Sequence, residues 1–220
     1  MTAAKLHYYS ATGKANQIRL ALAAANIEFE DVTPSSNSFP PSEEQVLEWR
    51  NIGGNSTTNV PMLEMPDGKV YTQSSAVLKA VARMGNLMPS SNDDLYMTDK
   101  LIADAEDFRT KSYATIIAWG ASKEEYENFI NNEVPLHFGN FERQLKENGG
   151  EYFVVKDRLT IADVAVYDAV VSFGANRAPD DCLDKFPSLA QWIKRVESDP
   201  GIVSYHASDK YANLMKFGKE

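Results

Sequence analysis

The sequence predicts a small α/β domain followed by a larger all-helical one. Two observations carry this. Short apolar runs that read as strands alternate with helical periodicity only as far as residue 72, in the order βαβ, an excursion, then ββα. Beyond "GNLMPSSNDDL", residues 85–95, the pattern is almost wholly helical. The composition permits one sizeable core or two modest ones, since the chain has 220 residues and is 43% hydrophobic.

Residues 5–9 read as a strand that ends in two adjacent tyrosines, 14–26 as a helix with Ile18, Leu20, Leu22 and Ala25 among its apolar positions, and "EFEDV", 28–32, as a second strand. The stretch "TPSSNSFPPSEE" is polar and leads into a short helix around Val46, Leu47 and Trp49. "NVPMLEM" and "KVYT" flank "PDG", where Pro66 and Gly68 supply the backbone angles of a tight turn, so the two runs form an antiparallel hairpin. "QSSAVLKAVARM", 73–84, has helical periodicity and completes a first domain over 1–84. After a linker at 85–95 the second domain, 96–220, has helical patterns near 96–118, 123–147, 160–175, 187–198 and 208–215, with "EYFVV" as its one strand-like run. "LTIAD", 159–163, is a helix-start signal: Thr160 at N-cap and Asp163 at N3 make a capping box, with Leu159 and Val164 as a hydrophobic staple. Loss of such a cap costs about 1 kcal/mol.

Charge narrows the function. With 22 basic and 31 acidic residues the net charge is −9, which disfavours nucleic acid or an anionic membrane as partner. The lone Cys182 cannot form an internal disulfide, the first residues lack the apolar core of a signal peptide, and no apolar run has membrane length. The expectation is a soluble cytoplasmic protein. The sequence suggests no metal.

A strand that stops ahead of a loop and a helix delivers its last side chains to a site, and "KLHYYSATGKANQIRLALAAANIEFED" ends its strand on Tyr8 and Tyr9. By itself "LHYY" also suits a buried strand with aromatic filling. Together with "NVPMLE", "QSSAVLKAVAR", "DAEDFR", "LTIADVAVYD" and "FPSLAQWIKRVESDPGI", in that order, the chain resembles the cytosolic glutathione transferases of the tyrosine-dependent kind, the alpha, mu, pi and sigma group. That resemblance implies a thioredoxin-like first domain, an all-helical second domain and a homodimer. It also implies glutathione as co-substrate and, as activity, attack of its thiolate on small hydrophobic electrophiles or reduction of organic peroxides. A glutathione-dependent isomerase of the prostaglandin D synthase type, or a non-catalytic crystallin-like or ligand-carrying relative, would share the fold.

Residue by residue, the resemblance implies that Tyr8 is catalytic. A thiol of pKa about 8.5 is only a few per cent thiolate at neutral pH, and a phenol that donates a hydrogen bond to the sulfur favours the anion. It implies a cis Pro61 whose neighbour Val60 pairs with glutathione through its main chain, Gln73 and Ser74 at the γ-glutamyl end, and Arg50, or Trp49 beside it, at the glycyl carboxylate. Asn59 stands where relatives carry Gln or Lys, and Lys14 where some carry an arginine near the thiol. Asp107, in "EDFR", would reach the glutathione amino group across the dimer. The hydrophobic substrate pocket would draw on Ala11, Thr12, Gly13, Tyr113, Ile117 and Phe217. The sequence departs from the family at "GGNSTT", where Thr57 stands near the aromatic key that several classes insert into the partner subunit.

Overall fold

The computed structural model describes residues 3–34, 39–53 and 59–219. They divide into two compact units, Met1–Leu87 with Pro200–Lys216, and Met88–Asp199 with Phe217–Glu220.

In the first unit β1 (Ala4–His7), α1 (Asn16–Ala24) and β2 (Phe29–Val32) form the expected βαβ element. After α2 (Glu43–Asn51) come β3 (Met62–Glu64), β4 (Val70–Thr72) and α3 (Ser74–Met84). The four strands form one sheet in the order β2-β1-β3-β4, with β1 parallel to β2 and the other two pairs antiparallel. Leu6, Ile18, Leu22, Leu63, Val77, Leu78 and Val81 are fully buried and make the core between the sheet, α1 and α3. The hairpin turns at Gly68, which has φ +85° and donates its N–H to the Met65 carbonyl at 2.9 Å. Glycine takes that left-handed angle without a Cβ penalty.

The strand read over 5–9 ends at His7. Tyr8 still donates its N–H to Val32 at 3.2 Å, but both tyrosines lie past the ladder. The helix read over 208–215 is also shorter. It is α10 (Asp209–Ala212), preceded by a helix that sequence reasoning missed, α9 (Pro200–His206), and residues 213–216 run on outside it. Pro200 opens α9, where its absent N–H costs nothing. The helix packs against α1 so closely that a Cβ on Gly201 would lie 2.1 Å from the Ala23 carbonyl oxygen.

In the second unit α4 (Asn92–Ala114) starts inside the expected linker, because the Ser91 side chain accepts the Asp94 N–H at 3.1 Å and caps it there. The helix read over 123–147 is α5 (Lys123–Asn128), a π turn at Phe129–Glu133, and α6 (Val134–Glu147). Pro135 cannot donate to the carbonyl four residues back, and the ladder changes register just ahead of it, with Val134 bonding to Phe129. Next come α7 (Ile161–Val170), continued by a π turn at Val171–Ala175, and α8 (Pro187–Glu197), which buries Leu189, Trp192, Ile193 and Val196 at helical spacing.

"EYFVV" is not a strand. Phe153 and Val154 are buried, as their apolarity predicts, but side chains replace a ladder. Asn148 Nδ2 donates to the Tyr152 and Val154 carbonyls at 2.8 and 3.1 Å, and the Phe153 N–H goes to Asp163 Oδ1 at 2.9 Å. A buried ion network joins α4 to α7. Arg109 donates to Glu106 at 2.6 Å and to Asp168 at 3.1 Å, and Asp168 also accepts the Ser172 hydroxyl at 3.0 Å. Burial pushes the Arg109 guanidinium down, but the two carboxylates outweigh this and hold it above its ordinary value. Among the described residues no helix is long and apolar enough to cross a membrane, and no group of three His, Cys, Asp or Glu could hold a metal ion.

Candidate functional site

The sheet register gathers the candidates in the first unit at one end. His7 of β1 faces Met62 of β3, which faces Thr72 of β4. One position further along these strands stand Tyr8, Pro61 and Gln73. The three segments that carry the resemblance therefore leave the sheet side by side, at the carboxyl end of β1.

Tyr8 and Tyr9 part company there. The Tyr9 ring meets Trp49 and Phe39 edge-on, with centroids 5.6 and 6.0 Å apart, and its phenol is pushed up first by burial and then by Tyr8. Tyr9 is packing. The Tyr8 oxygen instead accepts the backbone N–H of Lys14 at 3.0 Å, in the 3-10 turn Gly13–Ala15 that leads into α1. That donation polarises the phenol and makes its own O–H a better donor. The approach depends on glycine, because a Cβ on Gly13 would stand 2.4 Å from the Tyr8 oxygen, and φ there is +41°.

Arg19, a residue the sequence reading did not single out, holds this loop from beneath. It is 1% exposed, donates to the carbonyls of Ala11 at 2.7 Å, Tyr9 at 3.3 Å and Thr12 at 3.5 Å, and pairs through Nε with Asp31 at 2.8 Å. Its guanidinium carbon lies 5.8 Å from the Tyr8 ring centroid. The clue was a charge inside the apolar run "QIRLAL", which a buried helix tolerates only when the charge is fully paired.

Elsewhere in this unit Trp49 is buried, whereas Arg50, next to it in the last turn of α2, is exposed. The Val60–Pro61 peptide bond is cis, and Asn59 before it is exposed. Gln73 has φ +70° and ψ +110° and stands at the N-cap position of α3 without a side-chain bond to the helix. Ser74 is therefore the first helical residue. The Gln73 side chain does not cap the first N–H groups of this eleven-residue helix, and such groups with the helix dipole favour an anion. A non-glycine residue held at positive φ beside them is strain of the kind that collects at ligand sites.

Ala11, Thr12 and Gly13 are buried in the first unit. Tyr113, Ile117 and Phe217 belong to the second, where Tyr113 stacks on Trp119 with centroids 5.6 Å apart at 14°, and Phe217 stands edge-on to Tyr113 at 5.8 Å. Ile117 is partly exposed in the same short turn as Trp119. Asp107 is exposed on α4, at a groove of about 450 Å³ whose lining includes Lys100, His137, Arg143 and Gln144. Burial, and after it Lys111, pushes the His137 imidazole down. Thr57 lies outside the described residues.

Comparison with known proteins identifies the family. Residues 4–83 match the family model "Glutathione S-transferase, N-terminal domain", and 106–209 match "Glutathione S-transferase, C-terminal domain". The class-mu 28 kDa glutathione S-transferase isozyme of Schistosoma japonicum is 26% identical over 96% of this chain and 100% of its own length. The glutathione S-transferase of Plasmodium falciparum is 28% identical over 93% of this chain and 95% of its own. The solved Pi-class glutathione S-transferase of Onchocerca volvulus superposes with a TM-score of 0.79 at 23% identity, over 97% of this chain and 96% of that one, which establishes the shared fold. The chain belongs to the glutathione S-transferase superfamily. It is a glutathione transferase, with glutathione as co-substrate.

Proposed function

We propose that the enzyme activates glutathione through Tyr8, and the observation that carries this is the Lys14 N–H donated to the Tyr8 oxygen at 3.0 Å. With its oxygen accepting the Lys14 N–H, the phenol donates its own O–H to the glutathione sulfur and favours thiolate over thiol. The thiolate attacks a small hydrophobic electrophile, forming the carbon–sulfur bond as the leaving group departs. With an organic peroxide it attacks the terminal oxygen and breaks the O–O bond, so that the alcohol leaves and the glutathione sulfenic acid is reduced by a second glutathione to the disulfide and water. Val60 pairs with the cysteinyl backbone through its main chain, with Asn59 and Pro61 fixing that segment. Gln73, Ser74 and the start of α3 take the γ-glutamyl carboxylate. Arg50 takes the glycyl carboxylate in preference to Trp49, because Arg50 is exposed and the Trp49 ring is engaged with Tyr9. Lys14 adds positive charge beside the sulfur. The groups proposed for the electrophile are Ala11, Thr12 and Gly13 in the first unit, and Tyr113, Ile117 and Phe217 in the second.

In Tyr8→Phe, glutathione should still bind while the pKa of the bound thiol, read from thiolate absorbance against pH, rises by about 1–2 units, the worth of a hydrogen bond to a charged group. An unchanged pKa rules Tyr8 out. Arg50→Ala should weaken glutathione binding, and more so at low ionic strength, since an exposed charge contact is screened by salt. Equal affinity by calorimetry at both salt concentrations would move the anchor elsewhere.

The enzyme works as a homodimer in this reading, with Asp107 of each subunit serving the glutathione ammonium bound to the other. A mixed dimer of an Asp107→Asn subunit and a Tyr8→Phe subunit has one whole site and one with both defects, so it should recover about half the parental activity. Recovery at only the mean of the two mutant homodimers would refute sharing across subunits.

A further inference from the structure

The last residues of the first unit are tied to the loop that carries Tyr8. After α10 the chain runs parallel to residues 10–12. Met215 donates its N–H to the Ser10 carbonyl at 3.0 Å, and Thr12 donates its N–H to the Met215 carbonyl at 2.9 Å, so that Ala11 and Met215 pair as an isolated bridge. Side chains reinforce it, the Ser10 hydroxyl toward the Asn213 carbonyl and the Thr12 hydroxyl toward the Met215 carbonyl, both at 3.4 Å. Met215 is 57% exposed, and it is the main chain that makes the attachment. The loop is thus held both by Arg19 and by this strap, and the residue after Thr12 is Gly13, where an added Cβ would stand 2.4 Å from the Tyr8 oxygen.

We propose that the Met215 main chain is a positioning element for catalysis: the strap fixes Thr12, hence Gly13 and the Lys14 N–H, and so the aim of the Tyr8 hydroxyl. This rests on the reading of Tyr8 given above. Glutathione's carboxylates bind elsewhere in that reading, so release of the strap affects the thiol and not the grip on the tripeptide. Small displacements of a catalytic group have large kinetic effects.

Met215→Pro removes the N–H that Ser10 accepts and keeps the carbonyl that Thr12 reaches. It should raise the pKa of the bound thiol by roughly half a unit to one unit and lower kcat about three- to tenfold at neutral pH, with KM for glutathione nearly unchanged. Lys216→Pro is the matched control, since the Lys216 N–H makes no hydrogen bond among the described residues, and it should behave as the parent. A chain ending at Leu214 should reproduce the shift. In a Tyr8→Phe background Met215→Pro should add nothing to the thiol pKa. If Tyr8→Phe raises the pKa while Met215→Pro and the shortened chain leave it in place, the strap has no positioning role. If Tyr8→Phe itself leaves the pKa in place, the Tyr8 reading falls first and takes the strap with it. Amide exchange in the unaltered protein is a check that needs no variant: the Thr12 N–H should be protected, and exchange at the rate of an open loop would overturn the bridge.

Discussion

Gly13→Ala is expected to abolish most of the rate acceleration that depends on Tyr8, about a hundredfold in kcat, although residue 13 carries no functional group. An alanine Cβ would sit 2.4 Å from the Tyr8 oxygen and 2.8 Å from its Cε1. Tyr8 is held at the ring by its neighbours, and the alternative, moving the Gly13 backbone, withdraws the Lys14 N–H that the phenol accepts. Either way the hydroxyl loses its seat. The φ of +41° adds backbone strain for any residue with a Cβ, so stability should also fall by about 1–2 kcal/mol. Conjugation rates for a small aryl halide and urea unfolding measured on the same preparation separate the two effects. Combining Gly13→Ala with Tyr8→Phe should be little slower than Gly13→Ala alone, because both act on one hydroxyl. A variant with parental kcat would mean that the Tyr8 oxygen does not stand where the structure puts it.

The largest loss of stability is expected from Asp163→Ala, about 3–5 kcal/mol in denaturant unfolding. As a helix cap alone the residue would contribute about 1 kcal/mol. In the structure, however, it is fully buried and accepts from four donors: the Thr160 N–H at 2.9 Å, the Thr160 hydroxyl at 2.8 Å, the Phe153 N–H at 2.9 Å and Trp192 Nε1 at 3.1 Å. Burial pushes its carboxyl up, and the four hydrogen bonds pull against that shift. Removal strands buried donors on three segments at once. A loss near 1 kcal/mol would mean that the bonds to Phe153 and Trp192 contribute nothing.

Asp163 also shows what a sequence conveys. The box "LTIAD" is local, three residues apart on one turn, so its residue types announce a helix start. Its ties to Phe153 and Trp192 depend on how α7 and α8 pack, and no spacing announces them. The same division explains "EYFVV": apolarity reports burial, which holds for Phe153 and Val154, but a strand also needs a partner, and the described residues offer none. The candidates Tyr8, Val60, Pro61, Gln73 and Ser74 come from short motifs in a fixed order, which a sequence displays directly. That they share one end of the sheet follows from the strand register, a long-range property.

By itself the sequence determined the order of elements, the two-part organisation into α/β and helical stretches, the hairpin at "PDG" and the family, since these rest on periodicity, turn chemistry and local motifs. The tertiary structure alone decided the surroundings of the two adjacent tyrosines, because packing sets the Tyr9 ring against Trp49 and Phe39 and brings the Tyr8 oxygen to the Lys14 N–H. It also decided that Arg19 and Met215, separated along the chain, grip the same loop. Contacts of that kind arise only when distant segments pack, and the hydrogen bonds that make them are mostly to main-chain groups, which every residue carries and no residue type reveals.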